Sequence, residues 1–436
     1  MASPSMTMTI TTSIATHHHK SFSVQSPSSA FFPFKFSPFV PGSSTTTRIM
    51  MSINQSHPPL PDDHIIVGCG GASMDYLVLV DGFPKPDEKI KGTSSKVQGG
   101  GNVSNALTCA ARLGLRPRII AKVAEDAEGR GMLEELEADG VDTSFVVVSK
   151  EGRSMYSYVI VDSQMKTRTA IYYPGYPPMM PADFSSTSLS SALDGARLVY
   201  FDGLSLKTAL VIAEEACCRN IPILVDAEMG EEGFDKLLNM ANYAVCSAKF
   251  PQAWTKAPSM PSALVSMLMR LPKLKFVIVT LGEEGCIMLL RSHDKDDTQL
   301  EEMNVDQCLA SLNQRKDKYA ANPTCVSSPI LKLEAPGIGT LSGRLLVGIA
   351  ERIPHLELVD TTGAGDAFIG AVLYALCTGM PPEKMLPFAA RVVSDTFISP
   401  YRELRLGRWL LPSIWSSYRS SKSHRSALAT LPGSES

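Results

Sequence analysis

The chain has 436 residues and a nearly balanced charge, because 41 Lys and Arg face 44 Asp and Glu, for a formal net charge of -3. This balance provides no basic field that would attract nucleic acid or an anionic membrane surface. The nine cysteines contain no Cys-x-x-Cys pair, and their odd number argues against a disulfide framework. No apolar run approaches the roughly 18 to 20 residues that cross a bilayer. Together these features favour chemistry on small molecules.

The first 61 residues form a segment of distinct composition. They contain no Asp or Glu, are rich in Ser and Thr, and carry scattered positive charge at Lys20, Lys35 and Arg48. This composition predicts an organelle transit peptide, and the lack of an Arg-rich amphipathic start favours a chloroplast or other plastid, with the mitochondrion as the alternative. The three histidines at 17–19 are interpreted as part of this tract rather than as a metal site.

Apolar runs and glycines predict the elements of the N-terminal half. Residues 64–71 are typical of a first core strand, and residues 74–80 and 89–97 of further strands separated by a turn. Three glycines then lead into an amphipathic helix that ends before Gly114. Residues 155–162 and 167–173 flank a polar turn and predict a β-hairpin. We expect the strands within 76–97 and 155–173 to form a small β lid.

From residue 196 onward, short apolar strands alternate with helical stretches. The strands are predicted at residues 198–201, 223–226, 243–246 and 276–280. Such alternation indicates right-handed βαβ units and a mostly parallel sheet with helices on both faces, so ligands should gather at the carboxyl ends of the strands. Residues 291–324 are polar and weakly periodic, which predicts a surface insertion with one short helix near 305–313.

The most informative stretch is residues 360–370, which read Asp-Thr-Thr-Gly-Ala-Gly-Asp-Ala-Phe-Ile-Gly. A short apolar run precedes this stretch, and a segment of strongly helix-forming residues follows it. The glycines therefore mark the start of a helix. Gly363 and Gly365 let the backbone approach an anion, and the first-turn N–H groups with the helix dipole favour negative charge. Asp366 could accept the proton of an attacking hydroxyl, or it could merely cap the helix. The stretch predicts a phosphoryl-transfer site.

A second candidate site combines residues from two predicted elements. Asp75 follows the first strand, and Gly100, Gly101 and Asn105 begin the next helix. A carboxylate, a carboxamide and accessible backbone N–H groups can hold the neighbouring hydroxyls of a polyol. Alone, the glycines would indicate only a tight turn. Asp202, at the end of a later strand, is a weaker candidate whose plainer role is a helix cap.

These two motifs closely resemble the signatures of the ribokinase-like (PfkB) family of sugar and nucleoside kinases. They match the family's Gly-Gly-x-x-x-Asn-x-Ala motif and its C-terminal Gly-Ala-Gly-Asp motif, in the expected order. The resemblance implies a three-layer α/β/α sandwich with a mostly parallel central sheet, a small β lid and a kinase domain over residues 62–393. It also implies ATP and Mg²⁺ as cofactors and K⁺ as an optional one.

The resemblance further implies roles for individual residues. It makes Asp366 the general base. It implies an anion hole formed by Gly363, Ala364 and Gly365. It places Asp360 near a monovalent-cation site. It assigns substrate contacts to Asp75, Gly100, Gly101 and Asn105. The stretch 280–285 resembles the family's Thr-x-Gly-x-x-Gly loop, which implies phosphate contacts by Thr280, Gly282 and Gly285.

The chain departs from the family pattern at two places. Where relatives often show Asn-x-x-Glu, associated with water-mediated Mg²⁺, residues 247–250 read Ser-Ala-Lys-Phe. Mg²⁺ could still arrive bound to ATP, and Asp226 or Glu228 could supply an acid. After Val393 the family's continuation, which walls the adenine, is missing. Residues 394–436 are instead predicted to be an atypical, disordered tail.

Two functions therefore stay open at the level of sequence. The first is ATP-dependent phosphorylation of a hydroxymethyl group of a sugar or nucleoside, beneath a lid in which Tyr156, Tyr158 and Arg168 shape the pocket. The second is a catalytically inactive binding or scaffold protein in the plastid, which both departures favour; the altered C-terminus could also impair an enzyme. The family resemblance adds the option of a homodimer through the lid. Neither nucleic acid nor membrane is an expected partner.

Overall fold

The computed structural model describes residues 64–397, apart from 166, 229–231, 293–299, 318–319, 321 and 355–360. The expected transit peptide, Asp360 and the tail from residue 398 onward lie outside the described residues, so those assignments stay predictions. Within the described ranges, no helix is both long and apolar enough to cross a membrane.

The described strands form two sheets. In chain order they are β1 (Ile65–Cys69), β2 (Ser73–Val80), β3 (Ser94–Gly100), β4 (Arg116–Ala124), β5 (Val146–Ser149), β6 (Met155–Asp162), β7 (Thr167–Tyr173), β8 (Ala196–Phe201), β9 (Ile223–Ala227), β10 (Tyr243–Cys246), β11 (Phe276–Thr280), β12 (Cys286–Arg291), β13 (Glu302–Asn304), β14 (Cys325–Ser327), β15 (Leu331–Ala335) and β16 (Gly339–Gly348).

The larger sheet has the order β13-β15-β16-β12-β11-β10-β9-β8-β1-β4-β5, with β14 paired to β16. Pairing is parallel from β5 through β11, whereas β12 and β16 add an antiparallel extension. The predicted mostly parallel sheet is thus confirmed. Because parallel strands end at one edge of a sheet, the loops after β1, β8, β9, β10 and β11 all lie on the same side.

Helices cover both faces of this sheet. They are α1 (Asn102–Arg112), α2 (Ala127–Ala138), α3 (Ser186–Ala192), α4 (Leu206–Cys218), α5 (Phe234–Met240), α6 (Phe250–Thr255), α7 (Met260–Arg270), α8 (Val305–Gln314), α9 (Ala364–Cys377) and α10 (Pro382–Phe397). Leu198 and Tyr200 of β8 pack into the core beneath α1 and α9, while Val199 and Phe201 pack into the core beneath α4 and α7. Burial on both faces explains the unbroken apolar strands in the sequence.

The smaller sheet is a four-stranded lid in the order β3-β2-β6-β7. Asp75 pairs with Ser157 of β6, which in turn pairs with Tyr172 of β7. Directly paired residues place their side chains on the same face of a sheet, so these three side chains share one face of the lid. The strand expected over 89–97 lies later, at β3, so Gly99 and Gly100 belong to a strand rather than to a turn.

Two expected surface segments are more integrated than the sequence suggested. The helix predicted near 305–313 is α8, and its Val305, Cys308 and Leu312 are buried in the core beside α7. This part of the expected insertion thus contributes to the core, because the apolar residues of α8 recur at helical spacing. Ser394 is buried in the last turns of α10. Residues 394–397 therefore belong to the fold rather than to the predicted tail.

Candidate active site

The two glycine motifs meet at the carboxyl edge of the larger sheet. α1 begins after Gly101, α9 begins after Gly363, and the two helices pack against each other. The side-chain amide of Asn105 donates a hydrogen bond to the Asp366 carboxylate, with 2.8 Å between Nδ2 and Oδ2. The fold thus joins two residues that are 261 positions apart in the chain into one polar contact.

The start of α9 has the geometry of an accessible helix N-terminus. Gly363 is the N-cap and lies in the left-handed region with φ of 79°, which favours glycine. The N–H of Ala364 donates to the Thr361 carbonyl at 3.2 Å. Gly365 is exposed, and nothing lies within 4 Å of the position that its Cβ would take. Because Gly363 is the N-cap, helix capping does not account for Asp366.

Asp366 lies in an electrostatically unusual setting. Desolvation raises its pKa to about 7, the hydrogen bond from Asn105 lowers it, and the negative charge of Glu228 raises it again. An ordinary aspartate has a pKa of about 3.9. A carboxylate with a pKa near neutrality suits proton abstraction from a hydroxyl, because its basicity is high while a large fraction is ionised.

Asp75 lies against the backbone of the glycine motif. Its side chain is buried, and the hydroxyl of Ser73 donates to Oδ1 at 3.2 Å. Burial raises the pKa of this carboxyl, while hydrogen bonds from Ser73 and Ser157 and the charge of Arg168 lower it. A Cβ on Gly100 would stand 2.3 Å from Asp75 Cγ. Glycine at position 100 is therefore what leaves room for this carboxylate.

Gly101 has a packing role of its own. Its φ is 93°, and a Cβ there would stand 2.7 Å from the carbonyl oxygen of Gly71. Ser104 stabilises the same crossing, because its hydroxyl donates to the Gly100 carbonyl at 2.6 Å and to the Gly71 carbonyl at 3.2 Å. The loop after β1 and the turn before α1 are thus held in direct contact.

Asp202 is part of the framework of the site. Its carboxylate accepts hydrogen bonds from the backbone N–H groups of Gly71 at 2.7 Å and Leu204 at 2.9 Å. Burial raises the pKa of Asp202 to about 6, and these two hydrogen bonds lower it. A Cβ on Gly70 would stand 2.0 Å from its Oδ1. Asp202 therefore ties the loop after β1 to the loop after β8, which differs from both roles considered in the sequence.

Sequence reasoning missed two polar residues of the site, Asn102 and Tyr200. Asn102 donates to Glu228 at 3.4 Å and also hydrogen-bonds the buried Asp226, whose pKa is raised well above its usual value by desolvation and by the charge of Glu228. The fully buried hydroxyl of Tyr200 has no hydrogen-bond partner among the described residues. Asn102 could have been found, since it precedes Asn105 by one helical turn. Tyr200 is indistinguishable in sequence from any core strand residue.

The predicted nucleotide loop follows β11 at the same edge of the sheet. Gly282 has φ of 59° and nothing within 4 Å of a Cβ position, so its backbone is open to close approach. Gly285 instead serves packing, because a Cβ there would stand 2.1 Å from the Gly348 carbonyl oxygen. The Thr280 hydroxyl donates to the Cys246 carbonyl at 3.4 Å and thereby joins the ends of β10 and β11.

The described residues contain no group of three His, Cys, Asp or Glu side chains suited to a metal. Phe250, at the position of the acid in the family's Asn-x-x-Glu, is buried and stacked on Trp254. This position therefore supplies packing rather than a metal ligand. Asp226 is buried and Glu228 is exposed at the end of β9. Such a pair fits Mg²⁺ that is held mainly by phosphates and water rather than a closed protein cage.

The lid directly contacts the turn that precedes α9. Arg168 of β7 donates from Nη1 to the Thr361 carbonyl at 2.9 Å. Its positive charge also lowers the pKa of both Asp75 and Asp366. The lid face that carries Asp75 therefore covers the edge of the sheet where α1 and α9 begin.

Cavities lie beside the lid and at the starts of β1 and β4 in the described part of the chain. One of about 300 Å³ is lined by Asn105, Gly363 and the lid residue Gln98. Another of about 380 Å³ extends from Gly71 to Tyr172 beneath the lid. A further cavity, of about 530 Å³, lies near the starts of β1 and β4 and contains none of the predicted site residues. The first is bordered by β3, α1 and α2, and the second by Met155 and Tyr172 of the lid.

Solved structures share this architecture. A putative ribokinase from Agrobacterium tumefaciens superposes with a TM-score of 0.58 at 19% identity, covering 82% of this chain and 98% of that structure. The structure of Arabidopsis thaliana ribokinase complexed with ribose and ATP gives a TM-score of 0.53 at 20% identity, covering 79% and 98%. The chain therefore has a ribokinase-like α/β fold.

Sequence comparison defines the family. Residues 66–302 and 337–394, more than half of the chain, match the profile of the pfkB family of carbohydrate kinases. Bacillus subtilis ribokinase is 23% identical over 329 residues, covering 74% of this chain and 90% of the relative. Mouse ketohexokinase is 21% identical over 336 residues, covering 75% and 94%. The chain belongs to the pfkB carbohydrate kinase family.

Proposed function

We propose that this protein transfers the γ-phosphoryl group of ATP to a hydroxymethyl group of a sugar or nucleoside, with Asp366 as general base. The observation that carries the proposal is the 2.8 Å hydrogen bond from Asn105 to Asp366 beneath the lid. It joins the residue expected to orient the acceptor to the residue expected to deprotonate it. Ribokinases solved with ATP or ADP support ATP as the donor.

The proposed step follows from the positions of these groups. Asp366 takes the proton of the acceptor hydroxyl, whose oxygen attacks the γ-phosphorus while the bond to the β-phosphate oxygen breaks and ADP leaves. N–H groups in the first turn of α9 stabilise the negative charge on the transferring group. Asp75 and Asn105 orient the acceptor, and the lid excludes water as a competing acceptor.

Mg²⁺ bound to ATP would neutralise phosphate charge during this transfer. Glu228 and Asp226, the acids at the end of β9, would be the side chains available to help hold it. Gly282, with its open backbone, is the proposed contact for the nucleotide phosphates. A K⁺ site near Asp360 stays a prediction.

The decisive test measures ADP release by the full chain across pentoses, hexoses and nucleosides with ATP and Mg²⁺. Release that depends on one acceptor class supports the kinase. The second candidate is a catalytically inactive binding protein, which the buried Phe250 favours because the family's acid is missing there. Absence of ADP release with every acceptor, together with retained sugar binding in calorimetry, would select that alternative.

The pH dependence of kcat/KM tests the setting of Asp366. Activity should rise through an apparent pKa of about 7, because the base must be ionised. Glu228→Gln removes a charge that raises this pKa, so the midpoint should move to lower pH. Asn105→Ala removes the hydrogen bond that lowers it, so the midpoint should move to higher pH. Glu214→Gln, on the exposed face of α4, is the control; shifts of both variants in one direction would contradict the assignment.

We also propose that the lid mediates a homodimer. On the face opposite Asp75, Tyr76 pairs with Val97 and Tyr158, and Tyr158 pairs with Ile171. Val97, Tyr158 and Ile171 are 55%, 54% and 60% exposed, so this row forms an apolar surface suited to a second copy of itself. Tyr158→Glu with Ile171→Glu should convert a dimer into a monomer in light scattering, whereas Val148→Glu on β5 should not. A monomeric unmodified chain at micromolar concentration would refute this proposal.

For residues 1–61 we propose import into the plastid. A fluorescent fusion of these residues should colocalise with plastids, and mitochondrial fluorescence would select the alternative.

A further inference from the structure

The cavity of about 380 Å³ beneath the lid extends beyond the residues proposed to hold the reacting hydroxyl. It lies between the loop after β1, the end of β7 and the start of α4, and its walls include Gly71, Tyr172 and Leu204. This volume is within the range of small-ligand pockets, which is about 300 to 1,000 Å³. The cavity has room for a part of the acceptor remote from Asp366.

Two observations place this cavity beside the proposed acceptor site. The Gly71 carbonyl in its wall accepts the hydroxyl of Ser104, on the first turn of α1 that also leads to Asn105. Tyr172 in its opposite wall shares a lid face with Asp75, two strand spacings away across Ser157, or about 10 Å. An acceptor held by Asp75 and Asn105 can therefore reach into the cavity with its far end.

The charged side chains that line the cavity are mainly basic. They are Lys122, Arg153, Lys207 and Glu232. Lys122 is neutralised by Asp183, whose two carboxylate oxygens it contacts at 2.9 and 3.0 Å. Arg153 and Lys207 are exposed and form no ion pair with any side chain in the described ranges. The unpaired charges of the cavity walls are thus two cations and one carboxylate, that of Glu232. This positive excess attracts anions.

The backbone holds Arg153 at this position. Its N–H donates to the Tyr176 carbonyl at 2.7 Å, and its carbonyl accepts the Tyr176 N–H at 2.8 Å. The segment before β6 and the segment after β7 are thus joined at the mouth of the cavity. The guanidinium is left to bind a planar carboxylate or a phosphate, for which its fork of donors is suited.

We infer that the acceptor is an anionic sugar, which places a carboxylate or a monophosphate between Arg153 and Lys207 while its free hydroxymethyl group faces Asp366. This inference rests on the proposed kinase function and specifies its substrate class. The reaction itself is unchanged, since the anionic group takes no part in bond breaking. A neutral pentose or nucleoside would leave both cations without a partner.

The test compares matched acceptors that each keep a free hydroxymethyl group. Gluconate is set against glucose, and fructose 6-phosphate against fructose, which separates a carboxylate from a phosphate. ADP release by the full chain should show a higher kcat/KM for at least one anionic member. Arg153→Gln and Lys207→Gln should each raise the KM for that acceptor about 10- to 100-fold, as expected for a lost charged hydrogen bond, and leave the KM for ATP unchanged. Lys273→Gln, on a surface loop, is the control.

The outcomes separate this inference from the function on which it rests. Equal or higher kcat/KM for neutral sugars overturns the inference and leaves the kinase intact. If no acceptor releases ADP, calorimetry of gluconate and fructose 6-phosphate decides: Arg153-dependent binding supports the anion site although the kinase fails, and no binding overturns both.

Discussion

Replacing Asp366 with Asn is expected to lower kcat by about 10²- to 10⁴-fold, the range that a general base contributes. Asn keeps the size of the side chain and can still accept the hydrogen bond from Asn105, but it cannot take the hydroxyl proton. Acceptor affinity, measured by calorimetry, should stay nearly unchanged because Asp75 and Asn105 are intact. The effect should therefore appear in kcat rather than in binding.

A stability measurement shows whether the loss of kcat in Asp366→Asn is caused by unfolding rather than by loss of the base. Folding raises the pKa of Asp366 to about 7, so the folded state binds more protons than the unfolded state between about pH 4 and 7, and stability falls as pH rises through that window. Asp366→Asn removes this partly desolvated charge, so its thermal midpoint at pH 8 should equal or exceed that of the unmodified protein. Asp87→Asn, on an exposed lid turn, serves as the matched control. An unchanged kcat in Asp366→Asn would contradict the proposed mechanism.

Replacing Asp75 with Ala is expected to raise the acceptor KM about 10- to 100-fold, as for a lost charged hydrogen bond, without changing the KM for ATP. Gly100→Ala should reproduce this effect by a different route. Its added methyl group would stand 2.3 Å from Asp75 Cγ, so the carboxylate must leave its present position. Steady-state kinetics with each substrate varied in turn measures both effects.

The double variant distinguishes displacement of Asp75 from general damage. If Gly100→Ala acts through Asp75, adding it to Asp75→Ala should change the acceptor KM little, because the carboxylate is already gone. Gly131→Ala in α2 is the control, since a Cβ there meets Met74 only at 3.6 Å or beyond. Additive losses in the double variant, or equal kinetics for Gly100→Ala and Gly131→Ala, would contradict the assignment.

Local chemistry in the sequence sufficed to predict much of the fold. The strands predicted over 243–246 and 276–280 agree with β10 and β11 residue for residue. A strand that is buried on both faces is a continuous apolar run, so its ends can be read where the apolar run ends. The helix start at Gly363 was also predictable, since a left-handed N-cap followed by a helix former is a local property. The positions of both glycine motifs, and the class of chemistry they suggest, belong to this group.

The contacts between these elements could be seen only in the tertiary structure. Strand order and lid register are not specified by any local pattern. They determine the hydrogen bond between Asn105 and Asp366 and the position of the Tyr200 hydroxyl near Asp226. They also create the basic cavity lined by Arg153 and Lys207. Asp202 shows the same limit, since its partner Gly71 is 131 positions away. Propensity acts over a few neighbouring residues, whereas pKa values and binding pockets arise from groups that folding brings together and removes from water.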